Sequence, residues 1–109
     1  MAEITIIGGI NIDIEGKPDG PLKYEDSNPG KISISYGGVG RNITENAARM
    51  GGDVAMISVI GGDQMGAGAK EHLASLCVDV SRIETREDAT SAIYLSILND
   101  KNDMELAIS

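Results

Sequence analysis

A glycine-rich stretch, SYGGVGRN at residues 35–42, combines backbone and side-chain features that suit a polar ligand. Glycine has no Cβ, so the backbone at Gly37 and Gly38 can approach a bound molecule closely. Asn42 falls in the first turn of the helix that should follow, where backbone N–H groups have no helical partner. Its amide both donates and accepts hydrogen bonds. Together these groups suit a ligand that carries several hydroxyl groups.

A second polar pair, Asn11 and Asp13, follows directly after the first apolar run of the chain. A carboxylate can accept hydrogen bonds from two sugar hydroxyls at once, and charge-assisted bonds are the stronger kind. In open α/β sheets, ligands bind beyond the carboxyl ends of the strands. We therefore predict one binding site for a polyhydroxylated ligand. Its residues are Asn11, Asp13, Gly37, Gly38 and Asn42.

Arg41 is a further candidate for ligand binding, and the sequence leaves two roles open for it. It can pair with Glu45, four residues on in a helix, or it can reach a base or phosphate of the ligand. Asp63 precedes a second helical segment and is expected to be its N-cap. The single His72 has no second histidine with which to build a metal site. The single Cys77 is expected to be a small buried side chain.

An α/β fold is predicted to position these residues. Two continuous apolar runs, Glu3–Ile7 and Val54–Ile60, are typical of buried strands in a parallel sheet. Residues 14–29 are rich in turn formers and should be a long connection or a small projecting element. Lys31–Tyr36 alternates polar and apolar residues, as a strand with one solvated face does.

Two helices are predicted over about residues 40–50 and 64–76. The first carries an apolar stripe at helical spacing, which should be buried. The members of this stripe are Val39, Ile43, Ala47 and Met50. Residues 91–98 and 104–108 are typical of a hairpin with a loop of about five residues. With residues 31–36 they should form a small second sheet that projects from the main layer.

The composition is that of one globular domain, because 41% of the 109 residues are hydrophobic and 24% are charged. The net charge of −8 argues against a nucleic-acid partner, which would be bound by basic patches. No apolar run approaches the ~20 residues that span a membrane. A single cysteine and an N-terminus unlike a signal peptide favour the reducing cytoplasm. Because the sequence ends within an apparent strand, we expect it to be the front part of a longer protein.

Three motifs in this order resemble the PfkB carbohydrate kinases, also called the ribokinase family, and the resemblance runs over essentially the whole chain. The first motif is Gly8-Gly9-Ile10-Asn11-Ile12-Asp13 after the opening strand. The second is Gly37-Gly38-Val39-Gly40-Arg41-Asn42, followed by glycines at positions 51 and 61. The third is the Gly-Asp-x-x-Gly turn at residues 62–66.

The resemblance implies a two-part, ribokinase-like kinase, in which an α/β sheet carries the site and a small β-sheet lid closes over the sugar. Core elements would occupy about residues 1–13 and 37–85, and lid strands about residues 14–36 and 86–109. Lid-to-lid dimers are known in the family, so the resemblance also implies a homodimer through the lid sheet.

The same resemblance gives each site residue a role. Asp13 would accept hydrogen bonds from sugar hydroxyls. The remaining contacts with the sugar would come from Asn11, Asn42 and the Gly37-Gly38 backbone. The chain is also similar to pseudouridine kinases within the family, at Ser27-Asn28-Pro29-Gly30 and at Arg41-Asn42-Ile43-Thr44-Glu45-Asn46. Ribokinases proper carry Lys and Ala where this chain has Val39 and Arg41, which favours a nucleoside over free ribose. Ribokinase, adenosine kinase and fructokinase activities stay open as alternatives.

The family's catalytic base lies in a Gly-x-Gly-Asp motif, which does not occur in these 109 residues. The resemblance implies that the base and the ATP pocket belong to a C-terminal portion outside this sequence. The cofactors it implies are ATP and Mg²⁺, with a monovalent cation such as K⁺ as a further option, bound mainly by that portion. We therefore expect no catalytic or metal-binding residue here, and no turnover by these residues alone.

Two classes of function remain open. One is an ATP-dependent sugar or nucleoside kinase, of which this chain is the substrate-binding part. The other is a non-catalytic sugar-binding or assembly module that kept the fold and lost the chemistry. A gene that continues past Ser109 to a Gly-x-Gly-Asp stretch would favour the kinase.

Overall fold

The computed structural model describes residues 2–109, which form seven strands and two helices. In chain order these elements are β1 (Ile4–Ile7), β2 (Asn11–Pro18), β3 (Gly30–Gly37), α1 (Val39–Arg49), β4 (Val54–Gly61), α2 (Gln64–Ser75), β5 (Asp79–Arg86), β6 (Ala92–Leu98) and β7 (Met104–Ile108). They divide into two compact units. The first unit comprises the residues up to Ile12 and Tyr36–Ala92, and the second comprises Asp13–Ser35 and Ile93–Ser109.

The first unit is built on a parallel sheet with strand order β1-β4-β5. Ile4 is aligned with Val54 across the first strand pair, and Ile60 with Thr85 across the second. Val54 and Met56 of β4 and Leu73 of α2 are fully buried and form the centre of the core. The prediction of an α/β fold with a parallel sheet is therefore confirmed.

The first strand departs from its predicted environment. We predicted a buried strand, but β1 lies at one end of the three-stranded sheet and leaves the side chain of Ile7 78% exposed. Burial on both faces needs neighbours on both sides, and among residues 2–109 this strand pairs only with β4. The apolar run thus predicted the strand and its parallel pairing correctly, and its burial wrongly.

The face of α1 that is buried is also not the predicted one. Val39, Ile43 and Met50 of the apolar stripe are exposed, with Met50 87% accessible. The buried residues of this helix are Gly40, Arg41 and Thr44. The hydroxyl of Thr44 donates to the Gly40 carbonyl at 2.7 Å, so its polar atom is satisfied within the helix. A periodic apolar pattern identifies a helix well, but here it indicates the wrong face.

Asp63 caps α2 as predicted, because its carboxylate accepts a hydrogen bond of 2.7 Å from the Gly66 N–H. The same carboxylate accepts from the Ser91 N–H at 2.7 Å and from the Ser91 hydroxyl at 2.9 Å. These bonds, first of all the one from the Ser91 backbone, lower the pKa of Asp63. Asp63 therefore ties the start of α2 to the residue before β6. Ser91 was not a predicted partner, since 28 residues separate the two.

The helix α2 ends at a left-handed residue. Cys77 has φ +65°, and the Val78 N–H bonds back to the Leu73 carbonyl at 3.2 Å, as in a Schellman ending. The prediction that Cys77 is buried is wrong, since its side chain is exposed. The left-handed conformation turns the chain out of the helix there and holds the thiol at the surface.

We expect Cys77→Gly to stabilise the first unit by about 0.5–1 kcal/mol. The left-handed backbone costs a non-glycine residue about 1–2 kcal/mol, and the greater entropy of glycine in the unfolded chain offsets part of that gain. Urea unfolding monitored by circular dichroism measures the difference. Ala74→Gly, at an exposed position inside the same helix, is the matched control and should destabilise by about 1 kcal/mol. Equal signs for the two changes would contradict this account of the helix end.

The strand β5 was missed in the sequence. Its segment, DVSRIETR, has only two apolar residues, Val80 and Ile83, and they do not alternate regularly. The parallel pairing with β4 is interrupted by an irregularity between Ala55 and Ile57, which shifts the register along the strand. Such a shift breaks the period-2 pattern on which strand prediction depends.

The second unit is a four-stranded sheet in the order β3-β2-β6-β7. The predicted hairpin is confirmed: β6 and β7 are antiparallel, with Leu95 opposite Ile108 and Ile97 opposite Leu106. Most of β2 was predicted only as a connection or projecting element. Neither helix within residues 2–109 is long and apolar enough to cross a lipid bilayer.

Candidate functional site

Two glycines bring the end of β1 and the start of α1 into backbone contact. A Cβ built on Gly40 would lie 2.7 Å from the Gly8 Cα, and one built on Gly8 would lie 2.8 Å from the Gly40 Cα. Only a pair of glycines allows this approach without moving backbone atoms. The Arg41 N–H donates to the Gly9 carbonyl at 3.2 Å and fixes the same junction. The turn after β1 is therefore attached directly to the first turn of α1.

The predicted glycine turn lies against the residues that follow β1. Gly38 has φ +98°, a conformation that favours glycine, and it is the N-cap residue of α1. A Cβ at this position would be 2.5 Å from the Gly9 carbonyl oxygen and 3.1 Å from Asn11 Oδ1. The side chain of Asn11 is thus held beside Gly38. No side chain caps α1 in the part of the chain that the structure describes. In its first turn, the Arg41 N–H donates to the Gly9 carbonyl and the Asn42 N–H to the Gly38 carbonyl.

Asn42 follows in the first turn of α1 and is exposed. Its Oδ1 accepts a hydrogen bond of 2.5 Å from Arg41 Nη2. A guanidinium group can only donate hydrogen bonds. The oxygen of the Asn42 amide must therefore face Arg41, and the NH₂ end of the amide is turned to the other side.

Arg41 takes the first of its two predicted roles. Its side chain is buried, and Nη1 lies 2.8 Å from Glu45 Oε1 in an i,i+4 ion pair. With Nη2 bonded to Asn42, most of the guanidinium is occupied within the protein. Arg41 Nε is buried with no hydrogen-bond partner among the described residues. The guanidinium is thus buried against α1, where it is bonded to Glu45 and Asn42.

Glu45 is the centre of a group of ion pairs. Its carboxylate accepts from Arg41 and from Arg49, both at 2.8 Å, and lies 3.4 Å from His72 Nε2 of α2. Hydrogen bonds from Arg41, and then those from Arg49, lower the pKa of Glu45 from 4.5 to about 2. The carboxylate therefore stays ionised throughout the neutral and mildly acidic range.

This pKa predicts an acid-dependent loss of stability. A carboxylate whose pKa is lower in the folded than in the unfolded state stabilises the fold above pH 4.5, and the contribution disappears as the pH falls through about 2. Glu45→Gln should cost about 1–3 kcal/mol at pH 7, because buried Arg41 loses its charged partner. Urea unfolding between pH 2 and 7 measures both effects. Parallel pH profiles for the parent and the variant would contradict the assigned pKa.

Asp13 belongs to the second unit and is half-buried in β2. It is two residues beyond Asn11 in the same strand, and alternate residues of a strand share a face. The predicted site residues of the first unit are brought together around one junction. These are Asn11, Gly37, Gly38, Arg41 and Asn42.

The residues behind this junction were not identified from the sequence, with the exception of the Arg41–Glu45 pair. His72 comes from α2, 27 residues from Glu45, and no local spacing connects them. Tyr36 packs its ring against His72 at a centroid distance of 5.7 Å. No three His, Cys, Asp or Glu side chains within residues 2–109 lie close enough to hold a metal ion.

Comparison with known proteins identifies the family. The chain matches the pfkB family carbohydrate kinases over residues 1–109, so it belongs to that family. It is 39% identical to pseudouridine kinase from Escherichia coli K12 over 108 residues, which cover 97% of this chain and 34% of that protein. It is 35% identical to guanosine-inosine kinase from Exiguobacterium acetylicum over 109 residues, which cover 100% of this chain and 36% of that protein.

Solved structures show the same fold. A carbohydrate kinase from Agrobacterium tumefaciens is 30% identical, with a TM-score of 0.89, over 99% of this chain and 35% of that one. A ribokinase from Cryptococcus neoformans in complex with ADP is 20% identical, with a TM-score of 0.81, over 99% of this chain and 34% of that one. The predicted ribokinase-like fold is therefore confirmed. The chain spans about a third of the length of the curated relatives it matches.

Proposed function

We propose that this chain is the substrate-binding part of a kinase that transfers the γ-phosphoryl group of ATP to a sugar hydroxyl of a nucleoside. The observation that carries the proposal is the junction at Gly38, where Asn11 and the uncapped start of α1 meet beside exposed Asn42. Amide side chains beside a glycine backbone, which a ligand can approach closely, suit a polyhydroxylated ligand. Membership of the carbohydrate kinase family supports the same class of substrate.

Pseudouridine is the acceptor that we propose. Two of the relatives are kinases named for nucleosides, pseudouridine in one and guanosine and inosine in the other. Both are more similar to this chain than the ribokinase from Haemophilus influenzae, which is 32% identical. The residues Val39 and Arg41, which differ from those of ribokinases proper, support the same choice. Free ribose, adenosine and fructose are the competing acceptors.

In the proposed mechanism, the chain binds and orients the sugar. The backbone of Gly37 and Gly38 and the amides of Asn11 and Asn42 hydrogen-bond its hydroxyls, and Asp13 accepts from the hydroxyls with a charged carboxylate. Phosphoryl transfer depends mostly on such positioning and on electrostatic stabilisation of the transferred group. The second unit acts as a lid, a role that rests on the family resemblance. An ATP-dependent kinase of this kind works in the cytoplasm, where ATP is abundant.

The chemical step requires more than these residues. The Gly-x-Gly-Asp motif that carries the family's base does not occur in the 109 residues. Mg²⁺ accompanies ATP in this family, and the family resemblance assigns its binding mainly to the C-terminal portion. We therefore propose that the 109-residue chain alone binds substrate without turnover.

The experiment that tests the function is an acceptor panel on the protein expressed from its complete reading frame. ATP consumption is measured with pseudouridine, guanosine, adenosine, ribose and fructose. We expect kcat/KM to be highest for pseudouridine, with ribose at least tenfold lower. A sugar preferred over every nucleoside would overturn the choice of acceptor. A flat response to all five would favour a non-catalytic sugar-binding module.

We also propose a homodimer formed through the sheet of the second unit. Apolar side chains of this sheet are exposed, and Ile97 and Leu106 are cross-strand neighbours, with Leu106 62% accessible. A row of exposed apolar residues along neighbouring strands is a common interface between copies of a chain.

This proposal predicts the effect of a charge in that row. Leu106→Glu should convert the dimer to a monomer, because a buried unpaired carboxylate costs several kcal/mol. Size-exclusion chromatography with light scattering measures the mass. Lys101→Glu, in the exposed β6–β7 turn, is the control and should leave the mass unchanged. A parent protein that is monomeric at all concentrations would contradict the proposed dimer.

A further inference from the structure

A group of four side chains lies behind the glycine turn and Asn42, and we call it the Arg41 cluster. Its members are Tyr36, Arg41, Glu45 and His72. Arg41 Nη1 and Glu45 Oε1 are 2.8 Å apart, and the same carboxylate oxygen is 3.4 Å from His72 Nε2. The rings of His72 and Tyr36 are tilted by 37° at 5.7 Å. The cluster therefore links the end of β3, the first turns of α1 and the last turn of α2.

The packing of Tyr36 depends on a glycine in α2. A Cβ built on Gly68 would lie 2.6 Å from the Tyr36 hydroxyl, so glycine at this position makes room for the phenol. A glycine inside a helix costs about 1 kcal/mol relative to alanine. Here the hydroxyl of Tyr36 lies in the space that a side chain at position 68 would occupy. Tyr36 directly precedes Gly37, so this side-chain contact lies next to the glycine turn.

The cluster also fixes the side chain of Asn42. Arg41 is 5% exposed, and its ion pair with Glu45 prevents the guanidinium from turning away. Its Nη2 then donates to Asn42 Oδ1. Because arginine cannot accept a hydrogen bond, a reversed Asn42 amide would place NH₂ against N–H donors. Only one orientation of the Asn42 amide is therefore compatible with Arg41.

We infer that Arg41 is a positioning residue, which orients Asn42 so that its NH₂ group donates to an acceptor oxygen of the substrate. This inference rests on the proposed function, because it assigns the role of Asn42 within the proposed sugar site. The group that meets Asn42 must then be a hydrogen-bond acceptor, such as a hydroxyl oxygen. Arg41 itself does not touch the substrate, although the sequence left that role open.

A double-mutant cycle on the protein from its complete reading frame tests this. Asn42→Ala and Arg41→Ala should each raise KM for the preferred nucleoside about 10–100-fold, the range for losing one charge-supported hydrogen bond. The double variant should be no worse than Asn42→Ala by more than about threefold, because Arg41 acts through Asn42. Effects that multiply would overturn the inference, since they would show two independent contributions.

A matched control separates positioning from stability. Arg49 pairs with the same Glu45 carboxylate at 2.8 Å but is exposed and is not bonded to Asn42. Arg49→Ala should therefore leave KM unchanged while it weakens the ion-pair group. If Arg41→Ala does not fold, Arg41→Lys replaces it, since a lysine has one nitrogen and does not span Glu45 and Asn42 as the two guanidinium nitrogens do. A wild-type KM in folded Arg41→Lys would overturn the inference.

A measurement without substrate distinguishes failure of the inference from failure of the proposed function. The side-chain NH₂ of Asn42 is observed by ¹⁵N relaxation in the ligand-free protein. We expect an order parameter near that of the backbone, ~0.85, and a fall below ~0.6 in Arg41→Ala or Arg41→Lys. A rigid amide in a protein that phosphorylates nothing would leave the orientation standing and reject the kinase. A mobile amide in the parent would overturn the inference even if the kinase is active.

Discussion

Replacement of Gly40 by alanine should destabilise the first unit by about 3 kcal/mol and abolish substrate binding. The new Cβ would lie 2.7 Å from the Gly8 Cα and 3.0 Å from the Gly8 carbonyl carbon. These are backbone atoms, which cannot move aside as the end of a flexible side chain can. Insertion of a methyl group into such a packed contact typically costs 1–3 kcal/mol. The end of β1 and the start of α1 would have to separate, and the Gly38–Asn11 contact would separate with them.

Urea unfolding and nucleoside titration measure the two effects. Gly9→Ala is the matched control, since Gly9 neighbours Gly8 and a Cβ there would have no atom within 4 Å. It should change the free energy of unfolding by less than about 1 kcal/mol. If Gly9→Ala lowers the free energy of unfolding as much as Gly40→Ala does, the destabilisation comes from the lost backbone freedom of glycine. The Gly8–Gly40 contact would then not be its cause.

Asp13→Asn should lower kcat/KM for the preferred nucleoside by about 10²–10⁴-fold. The substitution keeps the size of the side chain and removes the charge. A hydrogen bond to a charged group contributes about 1.5–3 kcal/mol, and the proposed carboxylate accepts from two hydroxyls. Because the bonds support the bound sugar in the ground state and in the transition state alike, we expect the loss to appear mainly as a higher KM, with kcat changed much less.

Steady-state kinetics on the protein from its complete reading frame test this, with circular dichroism as a check of folding. Glu15→Gln is the control, because Glu15 is an exposed acid two residues further along β2. It should leave kcat/KM within about twofold of the parent, as surface substitutions usually have small effects. An Asp13→Asn variant with parental kinetics would remove Asp13 from the site.

The order of the elements was largely predictable because apolar runs and glycine pairs mark strands and turns locally. The burial of these elements was less predictable. Ile7 and Val39 are apolar and exposed, while Gly40 and Thr44 are small and buried. Pattern analysis assumes that an apolar face has a neighbour to cover it, and in residues 2–109 these faces have none.

The residues of the candidate site were also predicted only in part. The glycine turn, Asn11 and Asn42 could be predicted from spacing, because the chemistry of bare backbone and amides is local to each segment. Of the Arg41 cluster behind them, only the Arg41–Glu45 pair could be predicted, since His72 reaches Glu45 from another helix. Gly68 is an example. Glycine is a poor helix former, and only the structure shows that a Cβ at this position would lie 2.6 Å from the Tyr36 hydroxyl. Contacts of this kind depend on tertiary packing, which a single sequence does not encode in any local pattern.

The central claim is that the glycine turn and Asn42 bind the sugar of a nucleoside, and a two-dimensional ¹H–¹⁵N NMR titration of the complete protein with pseudouridine tests it most directly. We predict saturable shifts of the Gly37 and Gly38 amides and of the Asn42 side-chain NH₂. The amides of Gly20 and Gly51, which have no proposed role, should not move. Saturable shifts confined to other residues, or no shifts with any nucleoside or sugar, would contradict the account.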